Sequence, residues 1–73
     1  RAEVWTIVSG IGTITINEEI KDYKTGEVAQ IPQGAHHRIE NKTQEPVVFI
    51  EVQYGSYFGE DDIVRIEDDY NRI

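Results

Sequence analysis

The 73-residue sequence contains no cysteine and no methionine, and it has only two prolines. Without cysteine the chain has no disulfide, no thiolate metal ligand and no cysteine nucleophile. Long hydrophobic runs are also missing, since the longest is the four residues from Val47 to Ile50. That length excludes a transmembrane helix and the apolar segment of a signal peptide. A membrane partner is therefore not expected.

Basic residues are scarce. The chain has seven lysines and arginines but 14 aspartates and glutamates, which gives a formal net charge of −7. Nucleic-acid binding requires clustered Lys and Arg, so a nucleic-acid partner is not expected either. The length fits one domain, predicted to cover residues 1–73. The absence of cysteine is compatible with the cytoplasm, which is the predicted location.

What the sequence does contain is a β pattern. Turn-forming residues divide it into short segments with a period of two, and turn signals recur at the spacing of a sandwich or small barrel. The predicted strands are residues 2–9, 12–16, 19–23, 28–31, 36–40 and 47–53. Arg1 stands directly before the first strand, so we expect the chain to be the C-terminal fragment of a longer protein.

The last stretch differs from the rest. From Gly59 to Ile73 it holds six acidic residues and two arginines. Residues 63–66 are a possible final strand at a sheet edge, and residues 68–72 a possible helical turn. The alternative interpretation is a solvated acidic tail.

One spacing predicts where an imidazole points. Gly26 permits the positive φ of a hairpin turn, and Pro32 with Gly34 allows a sharp reversal of the chain. His37 then lies near the start of a strand, from which its ring can point into the interior. Asn41 ends that strand by bonding to local backbone.

A second spacing concerns an acidic residue. Glu3 precedes Gly10 by six intervening residues and shares a strand face with Trp5 and Ile7. A carboxylate on such an apolar face is costly unless it is paired or binds a metal. Imidazole and carboxylate together are a common ligand set for zinc, iron, manganese or nickel. Two ligands do not hold a metal firmly, so further ligands must come from elsewhere. Trp5 itself is expected to serve the core.

These two spacings resemble the two motifs of the cupin family. The segment from Gly26 to Asn41 matches the second motif at every defined position, and the segment from Glu3 to Gly10 matches the end of the first. The resemblance implies an all-β fold, the cupin jelly roll or double-stranded β-helix, here as a truncated barrel. It also implies that Glu3 and His37 are metal ligands, with further ligands before Arg1. His36 is a lesser candidate, because adjacent strand residues face opposite sides.

The resemblance narrows at the C-terminal end. Residues 50–53, 59–65 and 67–68, with Gly55 and Tyr57, are similar to the cupin of bacterial bifunctional mannose-6-phosphate isomerase/mannose-1-phosphate guanylyltransferases. Two positions depart from that family. Val4 stands where the family usually has His, and by strand alternation it faces away from Glu3. Phe58 replaces a Leu, which is an apolar exchange.

The resemblance implies a metal-dependent isomerase, zinc or a similar divalent ion being the cofactor. Such an enzyme interconverts mannose 6-phosphate and fructose 6-phosphate by moving a proton beside the carbonyl. We assign the required base to Glu51 and expect Arg65 and Arg72 to bind the substrate phosphate. For each arginine, the alternative is a salt bridge within the acidic stretch.

Other functions remain open at this point. Gly10-Ile11-Gly12 is too short for a nucleotide-binding loop and lies in a hairpin, so guanylyltransferase activity would belong to a longer parent protein. The chain could instead be a cupin without metal that binds a sugar or mediates dimerisation, or a purely structural β-sandwich. We expect a homodimer, because an incomplete cupin would expose a sheet edge and an apolar face.

Overall fold

All regular elements of the described residues are β-strands. The computed structural model describes residues 2–55 and, as backbone only, residues 63–69. The strands are β1 (Ala2–Ser9), β2 (Gly12–Ile16), β3 (Glu19–Tyr23), β4 (Val28–Ile31), β5 (His37–Glu40), β6 (Val47–Tyr54) and β7 (Ile63–Asp69). The predicted all-β class is confirmed, and the first six strands match their predicted bounds to within one residue. Because the described residues form no helix, none of them forms a helical membrane span.

The strands form two antiparallel sheets. One sheet has the order β4-β1-β6-β7 and the other the order β3-β2-β5. Strands distant in sequence are neighbours here, because β1 lies between β4 and β6. Within the described residues the two sheets are separate, so this cupin-type fold is a sandwich and not a closed barrel.

The core lies between the two sheets and follows the alternation of the strands. Trp5 and Ile7 of β1 are 4% and 1% exposed, whereas Val8 beyond them is 45% exposed. Side chains on alternate positions point to opposite faces, so one face of each strand supplies the core. The core residues are Trp5, Ile7, Ile14, Ala29, Ile31, Val47 and Phe49.

The segment before β5 has the turn geometry that its sequence predicts. Gly26 has φ 89° and Gly34 has φ 84°, both in the left-handed region that favours glycine. The Ala35 amide donates to the Pro32 carbonyl, which closes the reversal before His37. At the other end of β5, the Asn41 side chain accepts from the Thr43 amide at 2.9 Å, as predicted.

The structure of residues 63–69 excludes one of the two interpretations of the acidic C-terminal stretch. Residues 63–69 form β7, which pairs with β6 over its whole length, so a solvated tail is wrong for these residues. Asp68 and Asp69 belong to this strand and not to a helical turn. The remaining residues of the predicted turn, 70–72, lie outside the described residues. The final strand is therefore longer than the predicted residues 63–66.

Candidate metal and substrate site

The predicted ligands Glu3 and His37 meet across the sandwich. Glu3 lies on β1 of the four-stranded sheet, and His37 is the first residue of β5 in the three-stranded sheet. The Glu3 Oε2 atom is 3.3 Å from the His37 Nε2 atom. The side chains are 12% and 34% exposed, so a solute can reach the pair from one side. The structure thus brings together two residues separated by more than thirty positions.

A second contact orients the imidazole. His37 Nδ1 lies 2.9 Å from the Ala35 carbonyl oxygen. A carbonyl oxygen only accepts hydrogen bonds, so Nδ1 carries the hydrogen and Nε2 bears the lone pair when the ring is neutral. That lone pair faces a carboxylate oxygen at 3.3 Å, so a proton or a metal ion shared by the two atoms would make the contact favourable. Metal-bound histidines commonly have this backbone contact.

Trp5 holds the other carboxylate oxygen. The Trp5 indole N–H donates to Glu3 Oε1 at 2.7 Å. The same indole packs against the His37 ring with centroids 5.4 Å apart and ring planes at 77°. The sequence predicted only a core role for this residue. Its position two residues after Glu3 on the same strand face is the signal that could have suggested the bond.

The predicted base lies on the same inner face. In the β1–β6 register, Glu3 is opposite Gln53 and Trp5 is opposite Glu51. Glu51 is 6% exposed, and its Oε2 accepts a hydrogen bond of 2.7 Å from the Gln53 side-chain amide. Gln53 was not predicted as a site residue, because only the strand register reveals that it lies between the two carboxylates.

The two predicted phosphate ligands are placed unequally. Arg65 is on β7, at the register position opposite Glu51. Residues opposite one another in an antiparallel pair share a face, so this position belongs to the face of Glu51. Arg72 lies outside the described residues.

The lesser candidate His36 does not join the pair. Its backbone is tied to Asn17, whose side-chain oxygen accepts from the His36 amide at 3.1 Å. Among residues 2–55, no group of three His, Asp or Glu side chains is arranged to hold a metal. Glu3 and His37 have donor atoms that suit a divalent metal, but within the described residues they are two ligands where a metal site needs at least three.

A surface cavity of about 380 Å³ lies far from this pair. It is found beyond the Gly10 end of β1, whereas Glu3 is near the beginning of that strand. Its lining residues are Gly10, Ile11, Lys24, Thr25, Thr43 and Glu45. None of the predicted site residues lines this cavity, so the cavity does not coincide with the candidate site.

Comparison with known proteins gives a consistent family. The family described as "Mannose-6-phosphate isomerase C-terminal" matches residues 1–68. Mannose-1-phosphate guanylyltransferase ManC of Salmonella typhimurium is 48% identical over 73 residues, all of this chain. Xanthan biosynthesis protein XanB of Xanthomonas campestris pv. campestris (strain ATCC 33913) is 49% identical over 72 residues, 99% of this chain. No solved structure matches the chain.

These matches involve a small part of each relative. The chain spans about 15% of the length of the curated relatives it matches, including the mannose-1-phosphate guanylyltransferase of Escherichia coli K12, which is 45% identical. The match over residues 1–68, together with the identities near one half, is sufficient to assign the family. The chain belongs to the mannose-6-phosphate isomerase C-terminal family.

Proposed function

We propose that this chain supplies two ligands of a divalent metal site in a mannose-6-phosphate isomerase-type cupin. The reaction would be the interconversion of mannose 6-phosphate and fructose 6-phosphate. The observation that carries the proposal is the 3.3 Å approach of Glu3 Oε2 and His37 Nε2. The imidazole is held by Ala35 with its lone pair toward the carboxylate, which is the orientation a metal ligand needs.

The metal would be zinc or a similar divalent ion. When bound, it would polarise the sugar oxygens and stabilise developing negative charge. Glu3 would contribute a carboxylate oxygen and His37 its Nε2 atom, both of which suit such an ion. The remaining ligands would come from residues outside the described part of the chain.

Glu51 would move the proton. It would accept a proton from the carbon beside the sugar carbonyl and return it to the carbonyl carbon, while a hydroxyl proton passes from one sugar oxygen to the other. Its place on the inner face near Glu3 supports this role, and Gln53 orients the carboxylate through Oε2. Arg65 and Arg72 would bind the phosphate, which needs a cation. A salt bridge within the acidic stretch is the alternative for each arginine.

The parent protein would act in the cytoplasm, in GDP-mannose supply for polysaccharide synthesis. Two relatives are named as a mannose-1-phosphate guanylyltransferase and a xanthan biosynthesis protein, which supports this role. A guanylyltransferase activity would reside in the part of such a protein that this chain does not span.

The metal site can be tested by calorimetric titration with Zn²⁺ of the longer protein that carries this domain, because the chain itself supplies only two of the ligands. We expect binding by that protein and its loss in His37→Ala and Glu3→Gln, because each removes one of these two ligands. His36→Ala is the matched control and should bind as the unmodified protein does. Equal affinity in His37→Ala and His36→Ala would refute the ligand assignment. If the longer protein shows no isomerase activity with any divalent metal tried, the proposed reaction is wrong.

A cupin without metal is the second candidate. The 3.3 Å contact is also compatible with an ion pair between Glu3 and a protonated His37, which needs no metal ion. Metal analysis of the purified protein separates the two functions. A folded, metal-free protein that binds mannose 6-phosphate would support the second candidate.

We further propose a homodimer formed through the outer face of the four-stranded sheet. Val4 is opposite Val52, and Thr6 is opposite Ile50, on positions that alternate with the core residues. Val28, opposite Thr6 on the edge strand, is 47% exposed. A second copy would cover this largely apolar face.

The dimer is tested by sedimentation of two charge variants. Ile50→Glu places a charge on the outer face and should give a monomer. Ile20→Glu adds the same charge to the three-stranded sheet at a residue that is 65% exposed, and should leave the dimer intact. A monomeric unmodified chain at high concentration would exclude the dimer.

A further inference from the structure

Trp5 contacts both members of the candidate ligand pair. Its indole N–H donates to Glu3 Oε1 at 2.7 Å, and its ring packs on the edge of His37 at 5.4 Å. It is 4% exposed, and on its other side it packs against Phe49 at a centroid distance of 5.3 Å. The indole therefore joins the core to the pair.

We propose that Trp5 is a positioning residue that holds the Glu3 side chain in the conformation that faces His37. The sp³ torsions of a glutamate side chain have alternative staggered wells, so an unrestrained Glu3 can place its carboxylate in several positions. The hydrogen bond from Trp5 to Oε1 selects the conformation in which Oε2 lies toward Nε2. The part of this inference that concerns metal affinity rests on the proposed function.

The geometry explains why tryptophan suits this position. A buried indole N–H needs an acceptor, and Glu3 lies two residues away on the same strand face. The rest of the ring is large enough to reach Phe49 and His37 together. A donor whose own ring is locked by packing can hold a carboxylate within the narrow range that a binding site requires.

The first test needs no metal. Three-bond couplings of the Glu3 side chain report whether it occupies one rotamer. We expect one rotamer in the unmodified chain and averaging in Trp5→Phe, which keeps an aromatic ring but has no donor. Phe49→Leu keeps the donor but loosens the packing of Trp5, so it should average the Glu3 side chain less than Trp5→Phe does.

The chain has one tryptophan, so its indole N–H gives one unambiguous NMR signal. Glu3→Ala should shift this signal and speed its exchange with solvent. Glu3→Gln should largely restore slow exchange, because the amide oxygen still accepts a hydrogen bond. An indole signal unchanged in Glu3→Ala would overturn the inference, as would an unaveraged Glu3 side chain in Trp5→Phe.

The second test measures the Zn²⁺ affinity of the longer protein that carries this domain. Partners that orient a metal ligand are typically worth about 10- to 100-fold in affinity. Trp5→Phe should therefore weaken Zn²⁺ binding by about that factor, and Phe49→Leu by much less. Wild-type affinity in Trp5→Phe would overturn the positioning role while leaving the metal site intact. If the longer protein binds no Zn²⁺ when unmodified, the proposed function fails, and the metal-free rotamer test still decides the role of Trp5.

Discussion

The inner face of the β1–β6 strand pair has two unlike halves. Toward the Gly10 end, Ile7 is opposite Phe49, and both side chains are buried and apolar. Toward the other end, Glu3 is opposite Gln53, and the neighbouring Glu51 is buried although its side chain is polar. The same two strands thus contribute to the hydrophobic core in one half and to the candidate site in the other.

Trp5 lies at the boundary between these halves. It is opposite Glu51 in the register, packs against Phe49 and donates to Glu3. The comparison teaches that the rigidity of the polar half comes from the apolar half, since a carboxylate is held by a donor that the core immobilises. Substitutions in the apolar half should therefore reduce stability, and those in the polar half should reduce function more than stability.

The largest effect is expected in the apolar half. Phe49→Ala removes a side chain that is 3% exposed and leaves a cavity, at a cost of about 3–5 kcal/mol in the free energy of unfolding. A chain this short has little stability to lose, so we expect it to be largely unfolded. Urea denaturation followed by tryptophan fluorescence measures the loss. Ile20→Ala, at a residue 65% exposed and outside the proposed dimer face, is the control and should cost less than about 1 kcal/mol. Equal losses would contradict the comparison.

The next effect concerns the polar half. Glu51→Gln keeps the shape of the side chain but removes the group proposed to accept the substrate proton. General base catalysis is typically worth at least about 100-fold, so kcat of the isomerase reaction should fall by that factor or more. The measurement uses the longer protein that carries this domain. Unchanged kcat, in a variant that stays folded, would remove Glu51 from the mechanism.

A smaller effect is expected at the support of Glu51. Gln53→Leu removes the donor to Glu51 Oε2 and should cost about 1–3 kcal/mol of stability, because the buried carboxylate loses a hydrogen bond. A double-mutant cycle with Glu51→Leu isolates this bond. A coupling energy near zero would mean that Gln53 does not support the carboxylate.

Much of the fold was predictable because local patterns determine it. The strands β2, β3 and β4 have the bounds that their turn residues predict, and the glycines at 26 and 34 adopt the positive φ expected of them. The approach of Glu3 to His37 was also expected, from the resemblance of two spacings to known motifs. Whether this pair binds a metal stays a prediction.

The remaining features depend on contacts between distant strands. Glu3 and Gln53 are 50 positions apart, and only the β1–β6 register makes them neighbours. The alternation of a single strand places Trp5 beside Glu3 and Gln53 beside Glu51, but it does not show that these two strands are neighbours. β7 was underestimated for the same reason, since its acidic composition hides its pairing with β6.

The smallest effect is expected in β5, where an exposed ion pair can be compared with the less exposed contact of His37. Arg38, next to His37, forms an ion pair of 3.2 Å with Glu40, and these side chains are 68% and 38% exposed. Exposed pairs are screened by water and salt, so Arg38→Ala should change the free energy of unfolding by about 0–0.5 kcal/mol, and less in high salt. His37→Ala breaks a contact to a carboxylate that is only 12% exposed and should cost more. Urea denaturation of both variants at two salt concentrations makes the measurement. If Arg38→Ala lowered the free energy of unfolding more than His37→Ala does, the stability of β5 would depend mainly on its outer face. The polar half would then not be the site that the sandwich is built to hold.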